Sequence, residues 1–243
     1  MSVHGIIFDC YHTVIDLRFE RLPIVDLATG GVTSSAGVLC DVLRAADHAA
    51  ELESVHHALV DTWQRSEAIR RERRVETAAR VRMGWLLEQL QIPGSESLTE
   101  QLCAAHARTL IAAMELMPHA REVLGGLAAR VPLAMVSNFD RTQTVLDSLD
   151  HFGIRHFFEP VLVSDSEGII KPDPDIFLRA AALMQLDPAS ILVVGDQPHA
   201  DIAGARAAGM QAAWLAVRPE QAADVPASVP HLTSLRDLPA LLN

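Results

Sequence analysis

The chain runs to 243 residues, enough for one large domain or for a main domain with a smaller companion. Hydrophobic residues make up 49% and charged residues 21%, which supports a packed core and excludes a disordered chain. A formal charge of −11 argues against general nucleic-acid binding, yet leaves room for a small anionic substrate that needs only local positive charge.

The apolar stretches fall well short of the roughly 18 residues a membrane-spanning helix requires. The first residues show no basic segment with an apolar run behind it, so no signal peptide is expected. Cys10, Cys40 and Cys103 are odd in number, far apart and without metal-type pairing, which points to a reduced, cytoplasmic setting.

In chain order, the first apolar run is Gly5–Phe8, read as a buried strand. More than 100 residues without a convincing strand follow. Helical patterns fill them, over Val38–Leu52, Val55–Arg74, Val75–Gln91 and Thr99–Leu116, with breaks at Gly30-Gly31 and Pro93-Gly94-Ser95. Pro118 then opens a helix to Ala129 from a first-turn position that proline tolerates. Strands at Val131–Val136, Val161–Val163, Ile191–Gly195 and Ala212–Val217 alternate with helices at Thr142–Phe152, Asp175–Met184 and Ala200–Ala208. Unbroken apolar strands alternating with helices predict an α/β fold, a doubly wound parallel sheet covered on both faces. The helical stretch reads as a domain inserted after the first strand, giving a core of residues 1–16 and 117–243 and an insert of 17–116.

Ligands of open α/β sheets bind beyond the carboxyl ends of the strands. Four polar segments sit at such ends: Asp9–Thr13, Ser137-Asn138, the region around Lys171, and Asp196–Asp201. The first reads Ile6-Ile7-Phe8-Asp9-Cys10-Tyr11-His12-Thr13-Val14. The second is Met135-Val136-Ser137-Asn138. The third runs Gly168-Ile169-Ile170-Lys171-Pro172-Asp173-Pro174, and the fourth Val194-Gly195-Asp196-Gln197-Pro198-His199-Ala200-Asp201.

In that order these segments resemble the four motifs of the haloacid dehalogenase superfamily, and the inserted helical stretch resembles its cap domain in position. The resemblance implies a hydrolase in which Asp9 is a nucleophile that forms a covalent intermediate. It implies that Thr13, Ser137 and Asn138 offer donors to the transferred group, and that Lys171 offsets negative charge. Mg²⁺, an ion that takes oxygen ligands, would be held by Asp9, Asp196, Asp201 and the backbone carbonyl of Tyr11.

Tyr11 stands where phosphatases of the superfamily carry a second Asp as acid and base, and where its founding dehalogenases carry Tyr. His12 stands where Gly is usual. Those dehalogenases work without metal and lack the first acidic residue of the fourth motif, whereas this chain has Asp196 and Asp201. Like charges about 4 Å apart at an effective dielectric near 20 repel by roughly 4 kcal/mol, so three carboxylates beside one lysine call for a cation or for retained protons. Phosphoryl transfer on a small phosphomonoester is therefore the leading expectation. Dehalogenation of a short 2-haloacid, or a binding protein that has lost turnover, are the alternatives. Tyr11 is open between an acid, a positioning group and a space-filler. His12 and His199 are expected as solvated loop residues, Arg70–Arg74 as a solvated helical face, and Cys10 as core.

Overall fold

The computed structural model describes residues 2–242. It divides into two compact units, Met1–Asp16 with Glu115–Asn243, and Leu17–Met114. The sequence predicts the second break two residues later, after Leu116.

In chain order, β1 (Gly5–Phe8) and β2 (Ile15–Leu17) come first, followed by β3 (Ile24–Leu27) and β4 (Gly30–Thr33). Four helices follow: α1 (Ala36–Ala45), α2 (Leu52–Arg73), α3 (Ala79–Gln89) and α4 (Glu96–Ala112). Then come β5 (Met114–Leu116), α5 (Ala120–Ala128), β6 (Leu133–Ser137), α6 (Thr142–His151), β7 (Phe158–Val163), α7 (Ser164–Glu167) and α8 (Pro174–Met184). Next come β8 (Ile191–Gly195), a π-helix over Pro198–Ala203, α9 (Gly204–Ala207), β9 (Gln211–Leu215), β10 (His231–Leu232) and a closing 3-10 helix over Leu235–Leu242.

The larger unit is built on a six-stranded sheet of order β10-β9-β8-β1-β6-β7, parallel throughout. β1, β6 and β8 are buried along their whole length, which is why their sequences are apolar without alternation. β1 lies in the middle, with β6 on one side and β8 on the other. The chain builds outward to β7 and then returns to start again at β8. The switch point therefore falls between β1 and β8, where the rule for open sheets puts a ligand crevice at the carboxyl ends. An apolar cluster including Ile7, Val136, Phe177, Val193, Ile202 and Trp214 packs this unit.

The smaller unit packs its four helices around Leu39, Leu43, Val55, Met83, Leu86 and Leu102. No helix among the described residues is long and apolar enough to cross a membrane.

Several sequence expectations need correction. The inserted segment is not free of strands: β3 and β4 form an antiparallel hairpin, Leu27 opposite Gly30, so Gly30-Gly31 belongs to a strand and not to a helix break. β2 and β5 form a second small ladder. The insert's helices begin at Ala36, Leu52, Ala79 and Glu96, and the first and last end several residues earlier than expected. Pro118 lies in a turn before α5, whose N-cap is His119 at φ 66°. The helix expected at Ala200–Ala208 is a π-helix followed by one short α-turn. β10 escaped the sequence reading because two residues carry no period.

Candidate active site

The amide of Asp9 donates to the carbonyl of Val194 at 2.9 Å, so Asp9 continues the β1–β8 register one residue past the strand. The chain then turns sharply. The amides of Val14 and Ile15 both donate to the Cys10 carbonyl (2.9 and 3.0 Å), and His12 takes φ 64°, a conformation glycine adopts without strain. This turn carries Thr13 back over the strand end, where its hydroxyl donates to Asp9 Oδ2 at 3.0 Å.

Lys171 arrives from the loop between α7 and α8 and is 4% exposed. Its ammonium donates to Asp9 Oδ1 (2.5 Å), Asp201 Oδ1 (2.7 Å) and the Val136 carbonyl (2.9 Å), one acceptor for each proton. Burial alone would lower its pKa, but the charges of Asp201 and Asp9 outweigh that and hold it above the usual lysine range. Lys171 is a fixed cation.

The third strand end supplies two carboxylates. Asp196 follows β8 directly. Asp201 sits in the π-helix, a local widening of the helix often found at functional sites. The wider turn folds Asp201 back beneath β8, where its Oδ2 accepts from the Gln197 amide at 2.9 Å. Gly195 makes room for it: a Cβ there would lie 2.3 Å from the Asp201 carboxylate.

Asp9, Asp196 and Asp201 offer carboxylate oxygens all within 4.8 Å of one another. Burial, and then the charges of Asp9 and Asp201, push Asp196 up to about 8, against the weaker pull of Arg218 and Lys171. Burial also raises Asp201, to about 6, with Lys171 holding it down. Asp196 is wholly buried, and neither of its oxygens has a hydrogen-bond partner. The buried Ser137 hydroxyl, at the end of β6, is likewise unpartnered. Unsatisfied buried polar atoms are costly, and Asp196 and Ser137 both lie at carboxyl ends of the sheet's strands. A divalent, oxygen-seeking cation fits this donor set, since Asp196 has both oxygens free beside two further carboxylates and hard cations take oxygen ligands.

Two residues picked out from sequence have surroundings the sequence did not reveal. Asn138 was expected to offer donors to a substrate. Its side-chain amide brackets the main chain of Lys171, Nδ2 donating to the Lys171 carbonyl (2.9 Å) and Oδ1 accepting from the Lys171 amide (2.8 Å), which leaves one Nδ2 proton. The Tyr11 ring packs against Phe139 with centroids 4.7 Å apart. Its hydroxyl is buried and faces Ser148 of α6, whose proton goes to the Val145 carbonyl at 2.7 Å and whose oxygen is left as an acceptor. Burial, reinforced by Cys10 and the neighbouring carboxylates, pushes the phenol well above its ordinary pKa.

His12 lies in the turn after Asp9, its side chain 26% exposed and its Nδ1 2.8 Å from Asp16 Oδ1. His199 is exposed, and Cys10 is fully buried. Three contributors went unread in the sequence. They are the Val136 carbonyl, the Trp214 indole whose N–H donates to the Asp196 carbonyl at 2.7 Å, and Arg218, whose field reaches Asp196. Only the indole left a signal, because a tryptophan inside a buried strand must find an acceptor for its N–H.

Comparisons with known proteins bear on this geometry. A family model described as haloacid dehalogenase-like hydrolase matches residues 3–209. The chain is 41% identical over 107 residues to the bovine (Bos taurus) haloacid dehalogenase-like hydrolase domain-containing protein 3, covering 44% of this chain and 41% of that protein. It is 32% identical over 133 residues to a glyceraldehyde 3-phosphate phosphatase of Pyrococcus abyssi, covering 54% of this chain and 55% of that one. The matches thus span about half or less of these relatives' lengths. Among solved structures, a 2-haloacid dehalogenase from Pseudomonas syringae pv. Tomato DC3000 superposes with a TM-score of 0.68 at 20% identity, covering 99% of this chain and 98% of that one, a likeness of fold.

Proposed function

Because this chain belongs to the haloacid dehalogenase-like hydrolases, we propose that it is a Mg²⁺-dependent phosphatase of a small phosphomonoester, with Asp9 as its nucleophile. The observation that carries the reading is the Asp196 carboxylate, buried beside Asp9 and Asp201 with both oxygens unpartnered. That arrangement suits a cation and is costly without one. In this reading Asp9, Asp196, Asp201 and the Tyr11 main-chain carbonyl hold Mg²⁺, which when bound neutralises the carboxylates and the phosphoryl oxygens. The phosphatase name of the Pyrococcus relative supports the reaction class.

The chain's own residues then divide the work. Thr13 and Lys171 fix the two Asp9 oxygens, so the attacking carboxylate is oriented before substrate arrives. Attack on phosphorus forms an aspartyl phosphate and breaks the bond to the leaving oxygen; water then cleaves the acyl phosphate and restores Asp9. Ser137 offers its hydroxyl to a phosphoryl oxygen, and Lys171 offsets the charge gathered there. Asn138 acts through the Lys171 main chain and not on the substrate. Tyr11 is a packing residue whose phenol takes no part, so no carboxylic acid at position 11 protonates the leaving group. Turnover is therefore expected to favour esters whose leaving groups are already good. The setting we infer is cytoplasmic, supported by three cysteines that are all free and buried. The substrate is a small anion; neither nucleic acid nor membrane is a proposed partner.

The test is phosphate release from a panel of phosphomonoesters, with Mg²⁺ and with chelator. Release that needs Mg²⁺ and vanishes in Asp9→Asn is expected. A second reading, 2-haloacid dehalogenase, is favoured by Tyr11 alone, since halide leaves without a proton. Metal-independent halide release from 2-chloropropionate, with no phosphate from the panel, would replace the first reading by the second.

A further inference from the structure

Two carboxylates of the acidic cluster, Asp196 and Asp201, are linked by one peptide group. The peptide between Asp196 and Gln197 presents its N–H to Asp201 Oδ2 at 2.9 Å and its carbonyl to the Trp214 indole N–H at 2.7 Å. That peptide lies just past the end of β8, where the ladder to β9 has run out: the last register pair is Gly195 with Trp214. No sheet partner therefore fixes its plane. The indole takes over from β9, one position inside the strand, and is itself 1% exposed and packed edge-on against His231 of β10.

We infer that Trp214 is a positioning residue for the cation site, acting through the 196–197 peptide to aim both Asp196 and Asp201. The chemistry is direct. With the carbonyl anchored, rotation of the peptide is blocked, so the Asp196 Cα and the N–H that holds Asp201 stay in a fixed relation. Without the indole N–H the carbonyl is a buried acceptor lacking a partner, and the peptide turns to seek one. Such a turn releases Asp201 and redirects Asp196 together. Groups one step removed from a metal ligand typically change metal affinity 10–100-fold when lost.

The inference rests on the reading that Asp9, Asp196 and Asp201 hold Mg²⁺, and the experiment separates the two. Mg²⁺ binding to wild type and to Trp214→Phe is measured by titration calorimetry on metal-free protein, alongside the melting temperature of each without metal. Phe keeps most of the ring and loses only the donor. We expect Mg²⁺ affinity to fall at least tenfold in Trp214→Phe. A residue that merely fills space would lower the metal-free melting temperature and leave the Mg²⁺ affinity of the folded protein unchanged, and that result overturns the inference. Wild type that binds no Mg²⁺ overturns the cation site itself, and the inference with it. Should Trp214→Phe fail to fold, the other two tryptophans can be removed as Trp63→Phe and Trp85→Phe, leaving Trp214 as the only indole. Its fluorescence should then change saturably at the Mg²⁺ concentrations that register by calorimetry, and a flat response would overturn the inference.

Discussion

Tyr11 shows how far a residue's meaning depends on where its side chain goes. Its position directly follows the strand end that carries Asp9, yet the hydroxyl is buried against α6, facing Ser148. An intramolecular hydrogen bond contributes only about 0.5–1.5 kcal/mol net, so Tyr11→Phe should change stability by no more than that and leave phosphatase turnover within about threefold. A general acid contributes roughly 10²–10⁴-fold, so a hundredfold loss in a well-folded Tyr11→Phe protein would put the phenol back into the reaction. Asn138 teaches the same lesson. Position alone made Asp9, Lys171, Asp196 and Asp201 legible, because each is a charged residue at the end of a predicted strand. The direction of an amide or a phenol was not legible, because it is set by partners such as Lys171, 33 positions away.

Elements were legible where burial imposed a pattern. β1, β6 and β8 are apolar because both faces are covered, and they stand out in the sequence. β3 and β4 are largely exposed strands with glycines at the turn, so they carry neither an apolar run nor a clean alternation. The π-helix over Pro198–Ala203 was read as ordinary helix, since six residues cannot separate the two periods. The strand–π-helix turn has one strict requirement, the missing side chain at Gly195. Gly195→Ala would drive a methyl group into the Asp201 carboxylate. Overpacking of this kind costs about 1–3 kcal/mol. We expect a melting temperature lowered by several degrees and Mg²⁺ binding weakened more than stability, checked by thermal denaturation and calorimetry on one preparation. Unchanged Mg²⁺ binding would mean that Asp201 is free to move aside.

Across the whole molecule the two units carry opposite responses to acid. In the larger unit, Asp196 and Asp201 hold protons up to about pH 8 and about 6, above the 3.8 of an ordinary aspartate. Between about pH 4 and 8 the folded state binds more protons than the unfolded chain, so metal-free stability should fall as pH rises through that window. In the smaller unit, His106 accepts or donates a 2.7 Å hydrogen bond with Ser35. Burial, helped by Arg82, lowers its pKa from 6.5 to about 3. There the unfolded chain binds more protons between those values, so stability should fall as pH drops from 6.5 towards 3. Melting curves in chelator should lose part of the alkaline decline in Asp196→Asn and part of the acid decline in His106→Gln; profiles unmoved by either variant would refute the assignments. The ladder of β2 with β5 has a consequence for engineering. The Arg18 amide donates to the Ala113 carbonyl (3.1 Å) and the Met117 amide to the Val14 carbonyl (2.9 Å), so the strands run antiparallel and the chain departs and returns at adjacent points. To the sheet, everything from Leu17 to Met114 is the tip of a hairpin, and lengthening a loop whose ends already meet costs only about 0.6 kcal/mol per doubling. We therefore expect the insert to be removable at this joint without loss of the sheet. Joining Asp16 to Glu115 through an Asn-Gly turn should leave a parallel sheet that still melts cooperatively by circular dichroism.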